Sequence, residues 1–61
     1  MPAKFEVYPD KSGAYRWRLK AANGVTVASS GESFSSKTAA IGGCDATKRA
    51  AAEAEIVETE S

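Results

Sequence analysis

The sequence predicts a small α+β domain in which three short antiparallel strands are followed by one helix, laid on one face of their sheet, and by a last strand. Three observations predict it. Polar and apolar residues alternate at a period of two through residues 4–8 and again through 15–20, which is the pattern of strands with one buried and one solvated face. Glycine-bearing turn signals, Asp10-Lys11-Ser12-Gly13 and Ala22-Asn23-Gly24, close both runs. From Lys37 the composition turns alanine-rich, directly after two serines that suit a helix N-cap.

The first strand spans about residues 3–8, with Phe5 and Val7 inward, and Pro9, which cannot donate to a ladder, ends it. Asp10 stands where a type I turn favours it and Gly13 where a three-residue hairpin loop needs a left-handed residue. Closing Asp10 onto Ala14 sets Tyr8 opposite Arg16, Val7 opposite Trp17, Glu6 opposite Arg18 and Phe5 opposite Leu19, so that apolar meets apolar and acid meets base. A slip of one residue would turn every side chain to the wrong face. The second strand, about 14–21, carries Tyr15, Trp17 and Leu19 on the core side and Arg16, Arg18 and Lys20 on the other.

The second turn is read like the first, closing Ala21 onto Val25 and placing Val27 opposite Leu19. The rival, a two-residue Asn-Gly turn, would pair Leu19 with Ala28 and turn Val25 and Val27 outward. The third strand runs over about 25–30, to Gly31. The helix, about 36–50, puts Ala40, Gly43, Cys44, Thr47 and Ala51 on one narrow face, and its Lys48 and Arg49 are late enough to favour the negative end of the dipole. Gly42 and Gly43 each cost about 1 kcal/mol against alanine, so the pair calls for a close approach or a kink. A short strand at about 53–59 follows, with Glu55, Ile56 and Val57 as its centre, and Glu60 and Ser61 are expected to fray.

Sixty-one residues hold one domain, 1–61, with little core. A single cysteine rules out an internal disulfide and the absence of histidine removes the ordinary zinc sites. No cofactor is implied, and association with another chain is the remaining aid to stability. The sequence has neither a signal-peptide pattern nor a long apolar run, so no membrane partner is expected, and the unpaired thiol suits the cytoplasm. The eight basic and eight acidic residues cancel. They are unevenly placed, with Lys4, Lys11, Arg16, Arg18 and Lys20 in front and Asp45, Glu53, Glu55, Glu58 and Glu60 behind.

Residues 4–8 (KFEVY), 15–24 (YRWRLKAANG), the Ser35-Ser36-Lys37 entry to the helix and the late Ala54-Glu55-Ile56 together resemble the YegP-like family of small proteins, a domain of unknown function, in its single-repeat form. The resemblance implies a homodimer in which two β-β-β-α-β units share one antiparallel sheet and exchange their C-terminal strands. An acidic last strand beside basic strands agrees with such exchange, although a strand folded back within one chain would make similar contacts. Cys44, Thr47, Gly42 and the run Ala50-Ala51-Ala52 depart from the family's pattern and imply a thinner helix with a displaced end. The resemblance brings no activity with it.

No constellation of residues names a reaction. Cys44 lacks a histidine base and the N-terminal end of a helix dipole, and reads as a small buried helix residue. Ser29, Ser30, Ser33, Ser35 and Ser36 with Gly31 lack any phosphate-loop spacing and read as turns and caps. Lys4, Arg16, Arg18 and Lys20, with Tyr8 beside Arg16, form a candidate anion or nucleic-acid face, and Glu6 opposite Arg18 argues for an ordinary solvated face instead. The expectation is a homodimeric binding or accessory module without catalysis, its alternative a nucleic-acid or anion binder on the basic face.

Overall fold

The computed structural model describes residues 2–60; Met1 and Ser61, the ends of the expected domain, lie outside the described residues. Strands β1 (Lys4–Pro9), β2 (Tyr15–Lys20) and β3 (Thr26–Ser29) form an antiparallel sheet in the order β1-β2-β3, and helix α1 (Lys37–Glu53) follows. The β1–β2 register is the expected one, Glu6 opposite Arg18 and Val7 opposite Trp17, and it continues to Pro9 opposite Tyr15. Proline is tolerated there because β1 is an edge strand.

Asp10 fixes that register. Its N–H donates to the Ala14 carbonyl at 2.8 Å while Gly13, at φ +89°, donates back to the Asp10 carbonyl at 3.2 Å. Its Oδ1 accepts from the Ser12 and Ala14 backbone N–H groups and the Ser12 hydroxyl at 2.9, 3.1 and 2.7 Å. One carboxylate thereby satisfies a whole turn.

The second turn closes as expected, with Ala21 donating to the Val25 carbonyl at 2.8 Å and Gly24, again at φ +89°, to Ala21 at 2.9 Å. The pairing beyond it differs. Lys20 faces Thr26 but Leu19 faces Ala28, so Val27 is the extra residue of a β-bulge and does not stand opposite Leu19. Tertiary packing accounts for this: α1 packs on β1 and β2 alone, leaving no apolar surface to reward an inward Val27. Val25 and Val27 are exposed. The shift instead delivers Ser30 to Trp17, where its N–H donates to the Trp17 carbonyl at 2.9 Å and its buried hydroxyl accepts from the Trp17 N–H at 3.2 Å. After a detour through residues 31–33 the chain returns to β2, Phe34 and Tyr15 exchanging N–H to carbonyl bonds at 2.8 Å each.

Ser36 caps α1, its hydroxyl accepting from the Ala39 N–H at 3.1 Å. The helix runs past the expected end at residue 50 because Ala50, Ala51 and Ala52 are strong helix formers, and closes as Ala54 donates to the Ala51 carbonyl at 3.3 Å. Lys48 and Arg49 consequently lie before the last turn, which contains no base. Only Gly43 justifies the glycine pair: a Cβ there would meet Phe34 Cζ at 2.9 Å and Trp17 Nε1 at 3.2 Å, whereas one at Gly42 would meet nothing within 4 Å.

The core is small. Trp17, Ala40 and Cys44 are buried, Phe5 meets Trp17 edge-on with ring centroids 5.2 Å apart, and Val7, Tyr15 and Leu19 are only half-buried. Ala51, expected on the same helix face, is exposed. The strand expected at 53–59 is absent from this chain taken alone: Glu53 ends the helix, and residues 54–60 are exposed without ladder partners. A strand exists only when paired, and this segment reaches neither edge of its own sheet.

Candidate functional site

Two surfaces remain after the core is assigned. The first is the outer face of the sheet. The alternation that sends Phe5, Trp17 and Leu19 to the helix sends Lys4, Glu6, Tyr8, Arg16, Arg18 and Lys20 the other way, and the register gathers all the predicted bases there. Arg16 Nε donates to Asp10 Oδ2 at 3.0 Å and Arg18 Nε to Glu6 Oε1 at 2.8 Å. Lys4 and Lys20 lie 3.7 and 3.8 Å from the same Glu6 carboxylate. Three bases thus converge on one acid. Four bases against the two carboxylates leave a formal surplus of two positive charges.

The acids respond accordingly. The Arg18 hydrogen bond, aided by the charges of Lys20, Arg18 and Lys4, holds Glu6 below its usual range against the opposing effect of burial. Asp10 is lowered to about 2, chiefly by the Ser12 hydroxyl and then by Arg16 and the turn N–H groups. Arg18 also lies over the Tyr8 ring, 4.5 Å from its centroid, a diagonal contact that the expected Tyr8–Arg16 neighbourhood does not give. Lys4 and Lys20 are direct partners in the ladder and, with Glu6, Pro2, Ala21 and Gly24, line a hollow of about 290 Å³.

The second surface is a cleft of about 510 Å³ on the helix side, where the start of β1 and the end of β2 meet α1. Phe5, Leu19, Ile41 and Cys44 line it, with Lys4, Asp45 and Lys48 at its rim. Sequence spacing alone does not reveal it, because it depends on how α1 crosses the sheet. Cys44 is 7 % exposed there, and burial pushes its thiol up. A neutral, buried thiol is a poor nucleophile. Of the candidate serines, Ser30 is engaged by Trp17 and Ser36 by the helix cap. Among the described residues no group of three His, Cys, Asp or Glu side chains is placed to hold a metal, and no helix is long and apolar enough to cross a membrane.

Residues 10–58 match the family described as a domain of unknown function, DUF1508. The chain belongs to this family. The YegP-like resemblance in the sequence points to the same DUF1508 family, whose curated members are named UPF0339 proteins. Among them, a UPF0339 protein of Treponema denticola is 43% identical over 58 residues, covering 95% of this chain and 98% of the relative. One of Agrobacterium fabrum is 47% identical over 55 residues, covering 90% and 87%. The DUF1508 chain also superposes on the solution structure of a Haloferax volcanii protein with a TM-score of 0.85 at 43% identity, covering 95% of this chain and 97% of that one. An Agrobacterium tumefaciens structure gives 0.70 at 46% identity, covering 92% and 89%. Three antiparallel strands and one helix are therefore the fold of this DUF1508 unit, and the function of the family is unknown.

Proposed function

We propose that this DUF1508 domain is a non-catalytic binding or accessory module that works as a homodimer, each copy lending its C-terminal segment, Glu55, Ile56 and Val57, as a strand to the sheet of the other. The observation that carries the reading is the state of that segment: Ile56 and Val57 are 102% and 71% exposed at the end of a helix whose own sheet they do not touch. Burying a side chain such as that of Ile56 is worth about 1.5–3 kcal/mol, a large gain for a domain with so small a core.

The β1 edge is the better acceptor. The bulge at Val27 disrupts the ladder on the β3 side, and bulges of this kind blunt edge pairing. β1 is regular along its length, and the apolar cleft opens beside it with Lys4 and Lys48 at its rim. A strand with Ile56 over Phe5, Leu19 and Ile41 would carry Glu58 on the same face towards Lys48, placing opposite charges side by side. The absence of catalysis rests on the lack of histidine in the sequence and on the neutral Cys44 thiol. The compartment on this reading is the cytoplasm, where a free thiol stays reduced.

Static light scattering at micromolar concentration tests the assembly. Twice the 6.4 kDa chain mass is expected, falling to a single chain on Ile56→Asp with the circular dichroism of the sheet retained. A sharp single-chain mass for the unaltered protein would remove the proposal.

A further inference from the structure

The outer sheet face contains an arrangement that fold stability does not explain. Lys4 and Lys20 face each other directly in the ladder, and like charges so placed are destabilising. Arg18, which already has a full ion pair with Glu6, brings a third positive charge to the same carboxylate. α1 packs on the opposite side, so this face is covered by no other element among the described residues. Along β2 the bases Arg16, Arg18 and Lys20 recur every second residue, about 6.6–6.8 Å apart. That is a linear row of charge, which suits a linear polyanion better than a compact anion.

We propose that this face binds single-stranded nucleic acid, the Arg18 guanidinium forming the platform for an unpaired base while Lys4 and Lys20 contact the phosphates on either side. Arg18 is held at one edge by Glu6 at 2.8 Å and on one face by the Tyr8 ring at 4.5 Å, yet its side chain remains 40% exposed. A planar cation immobilised in this way has already lost its rotamer freedom, and its outer face is open to stack on a base. An acidic polypeptide would satisfy the lysines but would leave that plane without a partner. A duplex keeps its bases stacked inside and cannot offer one either. Every residue of the surface comes from one copy, so the proposal goes beyond the dimer and does not depend on it.

Two surplus charges set the scale of the salt effect. At about −0.7 per neutralised phosphate the salt slope is about −1.4, so the affinity falls about sevenfold between about 50 and 200 mM salt. The test is a titration of isotope-labelled protein with a short oligothymidine, followed by amide shifts and by fluorescence anisotropy. Shifts at Tyr8, Arg16, Arg18 and Lys20 are expected. Lys20→Gln should lower the salt slope by about 0.7, one phosphate contact. Arg18→Lys, which keeps the charge and loses the plane, should weaken binding several-fold at unchanged slope. The proposal is overturned if oligothymidine shifts none of these residues at low salt, if Arg18→Lys binds as well as the unaltered protein, or if polyglutamate or a DNA duplex of equal charge competes as effectively as the single strand. Each variant's amide spectrum reports whether it is folded, and light scattering on the same samples reports the assembly separately.

Discussion

Replacing each of the two adjacent glycines of α1 by alanine separates helix propensity from packing. At Gly42 a new Cβ meets nothing within 4 Å, so the substitution keeps only the propensity gain of about 1 kcal/mol. In a domain of this size that raises Tm by about 4–8 °C. At Gly43 the same gain is opposed by contacts at 2.9 Å to Phe34 Cζ and 3.2 Å to Trp17 Nε1. Neither ring can yield freely, because Phe34 is bonded to Tyr15 through both backbone groups and Trp17 is buried against Phe5. Overpacking of this kind costs about 1–3 kcal/mol, which leaves Gly43→Ala between neutral and about 2 kcal/mol less stable. Thermal unfolding followed by circular dichroism, with urea midpoints as a second measure, should place the two variants on opposite sides of the unaltered protein or nearly so. If Gly43→Ala stabilised as much as Gly42→Ala, the close approach of α1 to the Trp17–Phe34 surface would be refuted.

Three further outcomes are expected. Asp10 is lowered to about 2 in the folded state against an ordinary 3.8, so its contribution to stability is present above about pH 4 and is lost as pH falls towards 2; a carboxyl titration by NMR with a midpoint near 3.8 would contradict the turn network, and Asp10→Asn should flatten the acid limb. Ser36→Ala should remove about 1 kcal/mol with the cap bond to Ala39, read as a fall in Tm of about 4–8 °C. Because burial raises the Cys44 thiol, its reaction with a disulfide reagent near neutral pH should be much slower than that of a free cysteine peptide and should accelerate on unfolding; equal rates would show the thiol to be exposed.

How far the sequence could be read depended on whether the deciding forces were local. The β1–β2 hairpin was legible residue by residue, because Asp10, Gly13 and the Glu6–Arg18 pair all specify one register. The second turn was legible too, but the bulge that follows was not. Val27 carries no bulge signal, and the bonds of Ser30 to Trp17 together with the limited reach of α1 decide its place. The helix cap at Ser36 was plain, whereas Ala50, Ala51 and Ala52 carried the helix past its expected end. On the candidate face the four bases and the acid opposite Arg18 were readable from alternation. The stacking of Arg18 on Tyr8 is a diagonal contact that period-two reasoning does not rank. The cleft beside β1 required the helix to be placed first. Residues 54–60 were the furthest from local control: their aliphatic pair reads as a strand, but a strand needs an edge to pair with and their own sheet brings none to them.

The most direct test of that last step is an isotope-filtered NOE experiment on a mixture of labelled and unlabelled chains, reading contacts between the Ile56 methyl groups and the Phe5 ring. Exchange of C-terminal strands at the β1 edge predicts these contacts between chains and their loss in Ile56→Asp. Contacts found only within one chain, or none at all in a sample of dimeric mass, would contradict the account.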